Sequence, residues 1–224
     1  MKKATAIIFD LDGTLLDTAR DFALILNLLL SENNRPSLPY TAIRRVVSNG
    51  ANALVTLGFG THTGDQKHQK FLQRLLTLYA ENLATQTQFF PGMAQLLSRL
   101  DQQQIPWGVV TNKPRQYTVP LLEQMSIHPP DNAIVCPEDV TSPKPAPEPM
   151  LMACKILKCH PQHTLCVGDH QRDIESGKAA GMPTVAALYG YVTTDEQPRE
   201  WRADHYIKRV TELDALLGLT INDN

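Results

Sequence analysis

Hydrophobic and polar positions along this chain follow two different rhythms. Residues 4–9 form a short apolar run that stops at Asp10-Leu11-Asp12-Gly13-Thr14, the pattern of a strand emerging into a loop. Ala19–Glu32 follows helical spacing, and residues 33–39 are a polar, proline-containing break. Residues 40–88 are helical in pattern almost throughout. Within them Phe71, Leu72, Leu75, Leu76, Tyr79 and Leu83 make one apolar stripe. After Pro91-Gly92 the rhythm changes. Helices predicted at 93–104, 115–125, 148–157, 172–180 and 211–217 alternate with short apolar strands at 107–111, 133–136, 164–167, 184–188 and 205–207. Pro120 weakens the middle of the second of these helices, because proline removes a helical hydrogen bond.

Alternating strands and helices imply an α/β fold, a Rossmann-like parallel sheet covered on both faces. The helical block interrupts that alternation directly after the first strand, so it reads as a small inserted α-helical cap. The expected division is a core of residues 1–17 and 89–224 and a cap of residues 18–88.

Composition narrows the classes of function. The chain has 42% hydrophobic and 20% charged residues, ordinary values for a globular protein. Its 21 basic and 23 acidic side chains give a formal charge of −2, so no broad basic field is available to recruit nucleic acid. The cysteines 136, 154, 159 and 166 contain no CxxC pair and read as buried free thiols of a reducing cytosol. The apolar run before Asp10 is too short for a signal core, and Phe22 to Leu30, with Asn27 inside it, falls short of a membrane span. A cytoplasmic protein without membrane attachment is expected.

The candidate chemistry lies at the ends of the apolar runs. Asp10 and Asp12 stand two residues apart, and strand alternation would point both carboxylates the same way, where a divalent cation relieves their repulsion. Gly13 permits a turn, and Thr14 can offer backbone or hydroxyl donors to a phosphate. An Asp-x-Asp-Gly string is also an ordinary turn. A calcium EF-hand loop fits poorly, since its glycine belongs at position six and a helix should precede it. Downstream, Thr111 ends one strand, Lys144 sits in Ser142-Pro143-Lys144-Pro145, and Gly168-Asp169 ends another strand with Asp173 at the following helix start. Each has a plain alternative as a helix cap, surface charge or first-turn acid. Four strand ends in order carrying acid pair, hydroxyl, lysine and acid pair make coincidence the weaker reading. Cys159, His160 and His163 suggest a zinc site only superficially and read as a polar loop.

These four pieces resemble the motif set of the haloacid dehalogenase superfamily, and the insert resembles the helical cap of its phosphoglycolate phosphatase branch. The stretches 107–114 and 172–177, Ala153-Cys154-Lys155 with Leu157, and Tyr189-Gly190-Tyr191 are similar to those of N-acetylmuramic acid 6-phosphate phosphatases. His170 departs from the pattern, standing where an acid or small polar residue is commoner. The resemblance implies a Mg²⁺-dependent phosphomonoesterase with Asp10 as nucleophile and Asp12 as acid and base. It implies metal ligation by Asp10, the Asp12 carbonyl and Asp169, with Asp173 orienting them, and phosphate binding by Gly13, Thr14, Thr111, Asn112 and Lys144. Candidate substrate contacts in the cap are Ser48, Asn49 and Gly50, equally readable as an interhelical loop, with Arg44 and Arg45 for a carboxylate. The implied substrate is N-acetylmuramic acid 6-phosphate, with 2-phosphoglycolate as the alternative and a phosphosugar mutase more remote. A phosphorylation-controlled receiver module lacks the Asp-x-Asp-Gly-Thr string. The expected partner is a small phosphate ester, and the expected state is a monomer or homodimer.

Overall fold

The structure, a computed structural model, describes residues 3–193 and 195–219. The chain runs through β1 (Ala6–Phe9), β2 (Leu16–Asp17), α1 (Ala19–Glu32), α2 (Tyr40–Arg44), α3 (Gly50–Phe59), α4 (Gln66–Glu81) and β3 (Gln88–Phe89). It continues through α5 (Met93–Gln102), β4 (Trp107–Val110), α6 (Arg115–Gln124), β5 (Ile134–Val135), α7 (Glu148–Ile156), β6 (Thr164–Gly168) and α8 (Gln171–Ala179). The last elements are β7 (Thr184–Ala187), β8 (His205–Ile207) and α9 (Leu213–Leu217). Two compact units result, Met1–Leu16 with Phe89–Asn224, and Asp17–Gln88.

The first unit is built on a six-stranded sheet in the order β5-β4-β1-β6-β7-β8, with every neighbouring pair parallel. All four residues of β1 are fully buried, as a central strand covered on both faces requires. Helix α7 packs on β4 and β5, and α8 packs on β6 and β7. Between α7 and the sheet lie Ile8, Val110, Val135, Met150, Ala153, Cys154, Leu157 and Cys166. Because the chain leaves β1 toward β4 and β5 and later returns to β6 on its other side, β1 marks a topological switch point. The crevice beyond the carboxyl ends of β1, β4 and β6 is where such sheets bind ligands.

The strand expected over 133–136 contracts to Ile134–Val135. Among the described residues it pairs only with β4, and Cys136 already enters a 3₁₀ turn in which the Asp139 carboxylate accepts its N–H at 2.8 Å. Helix α6 tolerates Pro120 and continues to Gln124.

Over 40–88 the second unit contains three α-helices, α2, α3 and α4, rather than the nearly continuous pattern expected there. A 3₁₀ turn, Val47–Asn49, separates α2 from α3. Gly60, at φ 66°, ends α3, its N–H donating to the Thr56 carbonyl at 2.8 Å. Residues 82–88 are not helical. Buried Asp21 of α1 accepts the Gln86 N–H at 2.5 Å and the Thr87 hydroxyl at 2.6 Å, so one carboxylate satisfies that returning segment. Of the predicted stripe, Leu75, Tyr79 and Leu83 are buried, and Phe71, Leu72 and Leu76 are half-buried. Phe22 stacks on Tyr79 and Phe59 on Phe71. Among the described residues no helix is long and apolar enough to cross a membrane.

Candidate active site

Strand β1 delivers Asp10 to the switch point. Its backbone N–H still donates to the Val167 carbonyl of β6 at 2.9 Å, which holds its carboxylate at the sheet edge. Beyond it the chain turns sharply, with Gly13 at φ 92°. A side chain at Gly13 would strike Asp169 Oδ2 at 2.2 Å, so glycine is required twice, for its conformation and for the closeness of Asp169.

Three carboxylates converge there. Asp10, Asp169 and Asp173 are all buried and offer oxygens within 4.8 Å of one another. Lys144 Nζ lies among them, 2.5 Å from Asp10 Oδ1 and 2.8 Å from Asp173 Oδ1, and donates to the Val110 carbonyl at 2.8 Å. Asp169 accepts the Thr14 hydroxyl at 3.0 Å and the Tyr191 N–H at 2.8 Å. Asp173 Oδ2 accepts the His170 N–H at 3.1 Å. Its Oδ1, also buried, is held by the Lys144 ammonium.

The electrostatics follow from three acids sharing one cation. Burial pushes the Asp10 carboxyl up to about 6 against the pull of Lys144, and the neighbouring acids add to the rise. Asp169 is also raised, first by burial and then by Asp10 and Asp173. Burial alone would lower Lys144, but the charges of Asp10 and Asp173 outweigh it and the ammonium is held. Without a further cation the cluster is therefore short of positive charge.

The geometry alters three details of the sequence reading. Asp12 does not join Asp10 as a second free carboxylate. Strand β1 ends at Phe9, and the Asp12 side chain forms an ion pair with Lys113 Nζ at 2.9 Å, so the third carboxylate of the cluster is Asp173. Thr14, expected to offer backbone or hydroxyl donors to a phosphate, gives its hydroxyl to Asp169. The Asn112 amide binds the Lys144 backbone at both ends, donating to its carbonyl at 2.9 Å and accepting its N–H at 3.1 Å. That makes it a positioning residue for the lysine loop. Thr111 follows β4, and its hydroxyl accepts the Lys113 N–H at 3.1 Å.

His170 is explained by helix capping. As N-cap of α8 it accepts the Arg172 N–H on Nδ1 at 3.2 Å, while its own N–H binds Asp173, completing a capping box. Burial lowers its pKa. Sequence reasoning assigned no part to Lys113, Tyr189 or Tyr191. Lys113 holds Asp12, Tyr191 holds Asp169, and the Tyr189 hydroxyl donates to the Thr14 carbonyl at 3.2 Å. A side chain at Gly190 would meet Asp169 Cβ and the Gly13 carbonyl, each at 2.3 Å.

The remaining candidates belong to the helical unit. Arg44 ends α2 half-buried and bonds to Tyr40, while Arg45 is exposed. Ser48 and Asn49 lie on the 3₁₀ turn, and Gly50, at φ 80°, opens α3.

A parallel α/β sheet whose switch point gathers Asp10, Lys144, Asp169 and Asp173 defines a class of hydrolase. The family model of haloacid dehalogenase-like hydrolases matches residues 7–187. The chain belongs to that family, and its reaction class is phosphoric monoester hydrolysis. The N-acetylmuramic acid 6-phosphate phosphatase of Pseudomonas putida is 39% identical over 208 residues, 93% of each chain. The phosphoglycolate phosphatase of Xanthomonas campestris pv. campestris is 36% identical over 213 residues, 95% of this chain and 96% of that one. Among solved structures, a predicted phosphoglycolate phosphatase from Haemophilus somnus aligns with a TM-score of 0.81 at 26% identity, covering 96% of this chain and 99% of that chain.

Proposed function

We propose that this enzyme hydrolyses N-acetylmuramic acid 6-phosphate with Mg²⁺ by way of an aspartyl phosphate on Asp10. The observation that carries the mechanism is the buried Asp10 carboxylate, paired with Lys144 inside a cluster of three acids at the switch point. The substrate rests on similarity to the Pseudomonas phosphatase over nearly the whole chain.

The donor set fits Mg²⁺. Every clustered side-chain ligand is a carboxylate oxygen, which suits a hard cation. Gly13, Gly168 and Gly190 leave the room that Asp169 and Asp173 occupy. Asp10, Asp169 and the Asp12 carbonyl would hold the ion, with Asp173 orienting them. Bound there, Mg²⁺ supplies the charge that offsets repulsion between the Asp10 carboxylate and a phosphate dianion.

The residues then divide the work. The Asp10 carboxylate attacks phosphorus as the bond to the sugar oxygen breaks. Asp12 passes a proton to that departing oxygen, then takes one from the water that hydrolyses the acyl phosphate. Lys113 keeps the Asp12 side chain in place through this exchange. The Lys144 ammonium and the Thr111 O–H face charge developing on the phosphoryl oxygens. Chelation is expected to abolish activity and Mg²⁺ to restore it. Ca²⁺ should inhibit, because its larger, irregular coordination disfavours in-line attack. Mg²⁺ should also raise the melting temperature of the metal-free protein, since it neutralises buried acids. Full activity after exhaustive chelation contradicts this part of the account.

The helical unit is assigned the role of a cap that contacts the leaving portion of the substrate, because the acid cluster and lysine serve any phosphate ester. Ser48→Ala or Asn49→Ala is expected to lower kcat/KM for the sugar phosphate roughly 10- to 100-fold, the scale of one or two lost polar contacts. Hydrolysis of p-nitrophenyl phosphate should change little. A parallel fall on both substrates would make the turn a folding element. No fall on either would move attention to Arg44 and Arg45. The Xanthomonas relative supports 2-phosphoglycolate as a second reading, and side-by-side kinetics on the two substrates separate them. Release of inorganic phosphate without a bisphosphate activator separates either from a mutase.

A further inference from the structure

Helix α7 ends in a pair of thiols. Its last turn closes with two hydrogen bonds, from Cys159 N–H to the Cys154 carbonyl at 3.0 Å and from Lys158 N–H to the Lys155 carbonyl at 3.3 Å. Lys158 adopts φ 53°, and Leu157 is the C-cap. This is a Schellman motif, in which the residue three before the cap and the second residue after it bring their side chains into contact. An apolar pair usually fills those two positions. Here they are Cys154 and Cys159, and the Cys159 thiol lies against the Cys154 carbonyl at 3.7 Å. Cys159 Sγ also accepts the Thr164 hydroxyl at 3.2 Å.

The two sulfurs differ in setting. Cys154, on α7, is buried in the core, whereas Cys159 is half-buried at its margin. The neighbouring Cys154 thiol and the hydroxyl of Thr164 lower the pKa of Cys159 and favour its thiolate. The other two cysteines are not so arranged. Cys136 is buried beside Thr118, and buried Cys166 donates to the Asp173 carbonyl at 3.4 Å.

We propose that Cys154 and Cys159 form a reversible redox site that closes to an intrachain disulfide on reaction with a peroxide. Cys159 sulfur attacks a peroxide oxygen, the O–O bond breaks, and the departing hydroxide takes up a proton as water. Cys159 is then a sulfenic acid. Cys154 sulfur attacks Cys159 sulfur, the S–O bond breaks, and a second water leaves with the Cys154 proton. Two thiols lose two electrons and one hydrogen peroxide becomes two waters. The site is distinct from the acid cluster, so the inference is independent of the substrate and of the phosphatase mechanism.

The test treats the intact protein with a modest excess of hydrogen peroxide, removes the excess with catalase, then denatures and alkylates it. The expected result is loss of two of the four free thiols, a mass lower by two hydrogen atoms, and one cross-linked peptide joining Cys154 to Cys159. A thiol reductant should restore all four. Cys154→Ala should instead accumulate sulfenic acid on Cys159, trapped by dimedone, which keeps the assignment testable if Cys159→Ala folds poorly. Four unreacted thiols after treatment would overturn the proposal. So would a disulfide involving Cys136 or Cys166, a cross-link between chains, or over-oxidation of Cys159 in the unmodified protein without a cross-link.

Discussion

Asp10→Asn is expected to fold normally and to lose turnover by a factor on the order of 10⁴ or more. The amide that replaces the carboxylate is a poor nucleophile and a weaker ligand for a hard cation, so both functions proposed for Asp10 fail together. Folding should survive because the residue's backbone N–H, not its side chain, bonds to Val167. The change also removes one of three buried acids that share a single ammonium, which eases the charge imbalance of the metal-free cluster. Circular dichroism and thermal melting establish the fold, and steady-state phosphate release measures the loss. Near-normal turnover in a folded Asp10→Asn protein rules out the nucleophile assignment.

The second large effect belongs to Lys144, which is 3% exposed and ion-paired to both Asp10 and Asp173. In Lys144→Met the acids keep their burial and lose their cation. Removing one partner from a buried charge pair typically costs ~3–5 kcal/mol, because the charge left behind is uncompensated. A drop of that size in the metal-free protein is expected, with part of it recovered on adding Mg²⁺. Catalysis should fall about 10²- to 10³-fold even at saturating Mg²⁺, the usual consequence of removing one donor from developing oxyanion charge. Denaturant titrations with and without Mg²⁺, together with kcat, test both halves. Unchanged stability in the metal-free protein would show that Lys144 is not what holds the acids together.

Much of this arrangement is legible in the sequence because hydrophobic runs reveal strands, and open parallel sheets bind ligands at strand ends. Asp10, Thr111 and Asp169 each stand directly after such a run, and the structure places all three at the carboxyl edge of the sheet. The parallel α/β class follows from the same alternation. The less legible features involve partners that are distant in sequence. Lys113 reaches Asp12 across about a hundred positions, and Tyr191 supplies a backbone N–H, a donor every residue but proline carries. Their side-chain identities give no signal of those bonds. The Asn112 amide gives no sign in the sequence of the lysine loop folded against it. His170 hides its role because histidine is an unusual N-cap, and only the backbone reveals the capping box. In the helical unit, periodicity overestimates helix length. The apolar stripe reaches Leu83, past the end of α4 at Glu81, and beyond it the Gln86 N–H and the Thr87 hydroxyl turn to Asp21.

The most direct test of the account is an acid quench of the first turnover, followed by peptide mapping of any phosphate bound to the protein. Acyl phosphates survive acid and are lost in mild alkali, so the expected product is an alkali-labile phosphate on the peptide containing Asp10. It should form before the steady state and disappear when substrate is exhausted. Turnover without protein-bound phosphate, or phosphate mapped to any other residue, would contradict the mechanism.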